Sequence, residues 1–189
     1  MRYFLFALCA SCTPHLKSNP KATCGGEDLK NTWEKTIPPE TLVGEGSSSG
    51  QVVEDFCMED QHGDKVSLWQ FYGDLILLDI STMWCGPCQQ IAQDVDETWK
   101  DYKDEGFMYI TMLPEDLEGG SVDQGDLQEW AEGFEITSPI VSDNEGYGYV
   151  VEPQRAWPVV MLIDRDMTVL VERITPTDEA IRDAVEGAL

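Results

Sequence analysis

Leu75-Ile76-Leu77-Leu78-Asp79-Ile80, then Ser81-Thr82-Met83, then Trp84-Cys85-Gly86-Pro87-Cys88: the reading of this stretch decides the fold. Its first six residues, apolar but for Asp79, predict a central strand buried on both faces. From Pro87 to about Asp104, Ile91, Val95, Thr98, Trp99 and Tyr102 recur along one face at helical spacing. Two cysteines therefore stand where a strand hands over to a helix. A sulfur at a helix N-terminus faces backbone N–H groups that have no partner within the helix. They favour the thiolate, which is the nucleophile in disulfide exchange. Pro87 suits the first helical turn, where its missing N–H costs nothing. The two-residue spacer lets Cys88 reach Cys85 one turn away. Cys85, expected to be the more exposed, would attack a substrate disulfide, and Cys88, the more buried, would resolve the mixed disulfide.

Outward from this junction the pattern is mixed. Upstream, Val52 to Met58 and Lys65 to Leu68 predict two short strands around the turn His62-Gly63-Asp64. Downstream, Gly106 ends the helix and Phe107 to Leu113 predicts a strand closed by Pro114. Asp126 to Gly133 has helical character, and Pro139 to Ser142 predicts a short strand. Val159 to Ile163 and Met167 to Glu172 read as a hairpin around Asp164-Arg165-Asp166. Thr177 caps a last helix carrying Ala180, Ile181, Ala184 and Val185. The expected fold is α/β: a mixed β-sheet flanked by helices over residues 51–189, with an N-terminal β-hairpin ahead of it.

The beginning of the chain reads differently. Arg2, the apolar run Tyr3 to Ala10 and the small residues before Cys12 have the anatomy of an export signal over residues 1–12. The run falls short of the roughly 20 apolar residues of a spanning helix. Ala10-Ser11-Cys12 resembles a bacterial lipoprotein cleavage site, although Cys9 stands where that family usually has Leu. The expectation is an exported, periplasmic or membrane-anchored protein with Cys12 as the lipidation site. Residues 13–50, rich in Pro, Gly and Ser, predict a flexible linker. With 36 acidic against 12 basic residues the formal net charge is −24, which argues against nucleic-acid binding and polybasic membrane attachment. Such acidity serves solubility or life in a salty medium.

Of six cysteines, cleavage would remove Cys9 and lipidation would occupy Cys12. Outside the cytosol the remaining Cys24, Cys57, Cys85 and Cys88 suggest disulfides. If Cys85 pairs with Cys88, Cys24 and Cys57 are left for each other, but sequence alone does not fix the connectivity. Zinc would need a second close ligand pair, and Cys24, Cys57, His15 and His62 are scattered. No metal and no cofactor are expected.

Trp84-Cys85-Gly86-Pro87-Cys88 matches the active-site motif of thioredoxin residue for residue and sits at the same strand-to-helix junction, so the chain resembles the thioredoxin superfamily. The resemblance spans about residues 51 to 189. The hairpin and an insertion from Pro114 to Val151 go beyond a minimal thioredoxin and look more like the exported or tethered redoxins, which include cytochrome-maturation thiol reductases. The resemblance implies a thiol-disulfide oxidoreductase acting on protein disulfides, supplied by an upstream electron donor and working as a monomer. It implies that Asp79, six residues before Cys85, accepts the proton of Cys88, with a pKa raised by burial. It implies a cis peptide bond before Pro158, leaving the preceding backbone free for a substrate strand. Trp84, Gly86, Pro87 and Trp157 would then form the substrate surface. Trp157 departs from the Thr, Val or Ile of many relatives. Ile91 stands where some reductases have Glu, and Gln89 replaces a Lys common in thioredoxin. With no cation expected nearby, the Cys85 thiolate should be less favoured than in thioredoxin.

The alternative is a thiol-dependent peroxidase. Thr82 stands three residues before Cys85, as in peroxiredoxins, but Leu78 replaces their Pro, and they normally lack the close cysteine pair. A copper chaperone would need a distant His, and no His follows Cys88. An interaction module without turnover fits poorly with an intact cysteine pair and Pro158.

Overall fold

The computed structural model describes Cys24 and residues 29–189; the expected signal segment, Cys12 and the first part of the 13–50 stretch lie outside the described residues. In chain order the elements are β1 (Cys57–Glu59), β2 (Lys65–Ser67), β3 (Leu75–Ile80), α1 (Gly86–Ala92), α2 (Val95–Tyr102), β4 (Phe107–Leu113), α3 (Gln124–Gly133), β5 (Ile140–Ser142), α4 (Tyr147–Val151), β6 (Val159–Ile163), β7 (Val169–Val171) and α5 (Asp178–Glu186). The main sheet runs β5-β4-β3-β6-β7, with β1 and β2 forming a separate hairpin. β4 is parallel to β3 and to β5, whereas β6 is antiparallel to β3 and to β7. This is the mixed sheet flanked by helices that the sequence predicts.

Every residue of β3, β4 and β6 is buried, as continuous apolar runs require of strands covered on both faces. Side chains alternate between two cores. Leu75 and Leu77 of β3 pack with Phe107, Tyr109, Leu113, Val160 and Leu162 beneath α1, α2, α3 and α5. Ile76, Leu78 and Ile80 pack on the other side with Phe56, Val66, Trp69 and Tyr147, under the hairpin, the turn Leu68–Phe71 and α4. Asp79 shares the parity of Leu75 and Leu77, so it lies on the face that carries Cys85 and Cys88.

Local chemistry explains the ends of the helices. Asp123 opens α3 with a capping box, its side chain accepting from Gly125 N and Asp126 N. Thr177 caps α5 by accepting from Ala180 N. Gly106 takes a left-handed conformation (φ 76°) after the turn that follows α2. The helix expected over 87–104 is broken in two at Gln93 and Asp94, where the Asp94 backbone flattens to φ −107°, ψ −4°; no Gly or Pro marks that break. The strand expected from Val52 pairs with β2 only over Cys57–Glu59, and Val52 makes a single bridge to Thr168.

The linker expected over 13–50 requires a correction. In its described part the stretch is an arm laid on the domain. Cys24 is buried and disulfide-bonded to Cys57. Asn31 Nδ2 donates to Gln70 Oε1 at 3.0 Å while Gln70 Nε2 donates back to Asn31 Oδ1 at 3.1 Å, both residues buried. Trp33 Nε1 donates to Asp60 Oδ2 at 2.6 Å. Amide side chains and a cross-link hold this arm instead of a regular ladder, so its Pro- and Gly-rich composition hides the order.

Candidate active site

One edge of the sheet gathers the site. The parallel strands β3, β4 and β5 all end there, and antiparallel β6 begins there, so the loops after Ile80, Leu113 and Ser142 meet the loop before Val159. Ligand and reaction centres of open α/β sheets favour this carboxyl edge.

Cys85 is the N-cap of α1, with extended backbone (φ −81°, ψ 114°) and Pro87 in the first turn. Its sulfur is bonded to that of Cys88, with Cα atoms 5.2 Å apart, and it accepts from the Cys88 N–H at 3.2 Å. Cys85 is 4% exposed and Cys88 is fully buried. The order of exposure is the expected one, but both sulfurs are more enclosed than the sequence suggests. Gly86 is exposed, and a Cβ added there would meet nothing within 4 Å beyond its own helix and chain neighbours.

Asp79 is buried, and burial pushes its carboxyl up to about 7, against the pull of a hydrogen bond from Ser81. Ser81 Oγ donates to Asp79 Oδ1 at 2.6 Å, whereas Oδ2 has no partner among the described residues. The Trp157–Pro158 peptide bond is cis. Trp157 packs partly buried against both cores.

Three residues that the sequence reading passed over join the site. Trp84, 47% exposed, donates its Nε1–H to Glu115 Oε2 at 2.7 Å. Glu115, buried, also accepts from Tyr149 Oη at 3.0 Å and lies 3.3 Å from Arg155 Nη1. Its backbone carbonyl accepts the Met83 N–H at 3.0 Å. Arg155 stacks over the Tyr149 ring (4.6 Å), and Tyr149 in turn lies 6.2 Å from the Trp157 ring. A collar thus runs from Trp84 through Glu115, Tyr149 and Arg155 to Trp157. Arg155 is the cation of this collar and shares the Glu115 carboxylate with Trp84. α4 is brought tight to this collar by Gly148, where a Cβ would stand 2.9 Å from Pro114 Cγ and 3.1 Å from Ile80 Cγ2. Asp143 caps α4 from the same edge, accepting from Tyr147 N and Gly148 N at 2.8 and 2.7 Å. The one sequence signal for Glu115 is its place two residues beyond the end of an apolar run.

Among the described residues no group of three or more His, Cys, Asp or Glu is placed to hold a metal, and no helix is long and apolar enough to cross a membrane.

Comparisons with known proteins bear on the fold and the family. A structure of a thiol:disulfide interchange protein DsbE from Chlorobium tepidum superposes with a TM-score of 0.63, at 23% identity over 76% of this chain and 96% of that one, and supports the thioredoxin-like fold. The thioredoxin-like protein YneN of Bacillus subtilis is 26% identical over 101 residues, 53% of this chain and 57% of YneN. The thiol-disulfide oxidoreductase ResA of Bacillus thuringiensis is 25% identical over 130 residues, 65% of this chain and 68% of ResA. The chain thus spans a little over half the length of YneN and about two thirds of ResA. Residues 49–171, from the end of the arm through β7, match the AhpC/TSA family, and the chain belongs to that family.

Proposed function

We propose that the protein is a thiol-disulfide oxidoreductase that reduces or isomerises protein disulfides through Cys85 and Cys88. The observation that carries this reading is the enclosed cysteine pair at the head of α1, with a buried carboxylate on the same face of the sheet. In the reduced enzyme the Cys85 thiolate attacks one sulfur of a substrate disulfide. A mixed disulfide forms and the first substrate thiolate leaves. Cys88 passes its proton to Asp79 and attacks Cys85 Sγ. The Cys85–Cys88 bond forms, the bond to substrate breaks, and the second substrate thiolate leaves. The substrate gains two electrons and the enzyme pair loses them; an upstream dithiol donor restores the pair.

Trp84, Gly86, Pro87, Trp157 and Pro158 form the face presented to substrate, with Glu115 holding Trp84 in place. The protein works outside the cytosol, as the second disulfide and the signal-like start of the chain suggest. Cys12 is the proposed lipid anchor and the folded part acts as a monomer.

The test is a redox titration of the Cys85–Cys88 pair combined with Cys88→Ser trapping. The expected result is reversible two-electron behaviour and mixed disulfides on Cys85 with protein substrates. Efficient peroxide consumption with a thiol donor, and no trapped protein, would put the peroxidase reading ahead.

A further inference from the structure

The strand β3 is continued beyond Ile80 by Ser81, whose N–H donates to Met112 O at 2.9 Å and so extends the pairing with β4 by one residue. This fixes the Ser81 backbone, and its hydroxyl reaches back to Asp79 Oδ1 at 2.6 Å. Both residues are buried. Asp79 pairs across the sheet with Thr111 of β4 and Val160 of β6. Thr111 shares the parity of Phe107 and Tyr109, so it stands on the same face as Asp79 and the redox pair. Its hydroxyl, like Asp79 Oδ2, has no partner among the described residues. The two oxygens of one carboxylate are therefore unequal: one is occupied and one is free.

We propose that Ser81 is a positioning residue for the resolving step: it engages Oδ1 of Asp79, stabilises the carboxylate, and leaves Oδ2 as the oxygen that takes the proton of Cys88. This rests on the reading of Asp79 as proton acceptor. When Cys88 resolves a mixed disulfide, its S–H proton passes to Oδ2, its sulfur bonds to Cys85 Sγ, and the substrate sulfur leaves with the electron pair of the broken bond. The titratable groups on this face are Cys85 and Cys88 on the α1 side, Tyr109 on β4, and the carboxylates that act on Tyr109 from the covering helices, Asp94 at the head of α2 and Asp178 of α5; β6 contributes the apolar Val160 and Leu162. Burial and the Asp79 charge hold the Tyr109 phenol well above its ordinary range, so it stays protonated. A hydroxyl donating to a carboxylate favours the ionised form. Without it, Asp79 is ionised only at higher pH, and proton transfer at neutral pH slows.

The experiment uses the reduced full chain and Ellman's reagent. Cys85 attacks first and releases one thionitrobenzoate anion, and Cys88 then resolves the mixed disulfide and releases the second; subtracting the release from a Cys85→Ser, Cys88→Ser double variant removes the signal of the other four thiols, so the second phase reports the resolving step. Its rate is measured against pH for wild type and for Ser81→Ala, Ser81→Thr, Thr111→Val and Asp79→Asn, with Asp79 titrated directly by carboxyl NMR in the same proteins. Ser81→Ala should move the acidic limb up by about one pH unit, the scale of a hydrogen bond to a charged group. The Asp79 titration should move with it. Ser81→Thr should restore both, and Thr111→Val, which removes a hydroxyl not bonded to Asp79, should leave both in place. An unmoved limb in Ser81→Ala, or an equal shift in Thr111→Val, overturns the proposal while the acceptor role survives in Asp79→Asn. A wild-type profile in Asp79→Asn removes the acceptor reading and the proposal with it.

Discussion

Among the described residues two disulfides of like span, each with Cα atoms 5.2 Å apart, stand in opposite settings. Cys85 and Cys88 are three positions apart, at the mouth of the sheet, with an amide aimed at one sulfur, Asp79 beneath the same face and the half-exposed Trp84 alongside. Cys24 and Cys57 are 33 positions apart and tie the N-terminal arm to β1. The first bond closes almost no loop, so its loss costs little chain entropy; the second closes a long one. On the proposed reading, what sets the two bonds apart is their surroundings: a buried carboxylate to accept a proton, an amide donor to one sulfur, and a surface where substrate can approach.

This contrast can be broken most severely by exchanging the sulfurs. Cys85→Ser should lower turnover on a protein disulfide by at least about 10³-fold, whereas Cys24→Ser with Cys57→Ser should leave turnover within about twofold. Equal losses in an insulin-reduction assay would erase the distinction. The same double variant should lose about 3–4 kcal/mol of stability in urea unfolding, the chain-entropy value for a loop of this length.

Asp79 sharpens the comparison through pH. Its carboxyl titrates near 3.8 in the unfolded chain and at about 7 in the fold. Between those values the folded state holds the extra proton. The contribution to stability is therefore complete below about pH 4 and is lost as pH rises toward 7, by at most roughly 4 kcal/mol. Asp79→Asn should remove that slope, so its unfolding midpoint should gain on wild type as pH increases. Parallel curves for the two proteins would contradict the raised value.

Glu115→Gln gives the smallest effect. It weakens the grip on Trp84 and Arg155 without touching the sulfurs. The KM for a protein substrate should rise about fivefold, the scale of one hydrogen bond, with kcat nearly unchanged. A fall in kcat with KM constant would place Glu115 in the chemical step instead.

The bounds of β3, β4 and β6 match the apolar runs read from the chain, because strands covered on both faces leave uninterrupted hydrophobic stretches. The junction at Cys85 was equally legible, since capping and proline chemistry are local. The collar was not. Glu115, Tyr149 and Arg155 are common residue types that meet Trp84 and Trp157 only when four strand ends converge. The arm misled for a related reason: its order comes from partners far along the chain, Gln70, Asp60 and Cys57, which no window around Asn31 or Trp33 contains. The break at Asp94 carries no helix-breaking residue, and Ser81 reads as ordinary until its hydroxyl is seen against Asp79.

The empty ground above Gly86 has an evolutionary corollary. Of the two residues between the sulfurs, Gly86 can take on a methyl group without disturbing the interior, because a Cβ there would enter open space. Since the dipeptide between such cysteines tunes how readily they give up electrons, this scaffold separates the setting of its redox strength from the upkeep of its fold, and a lineage could revise the first while leaving the second alone.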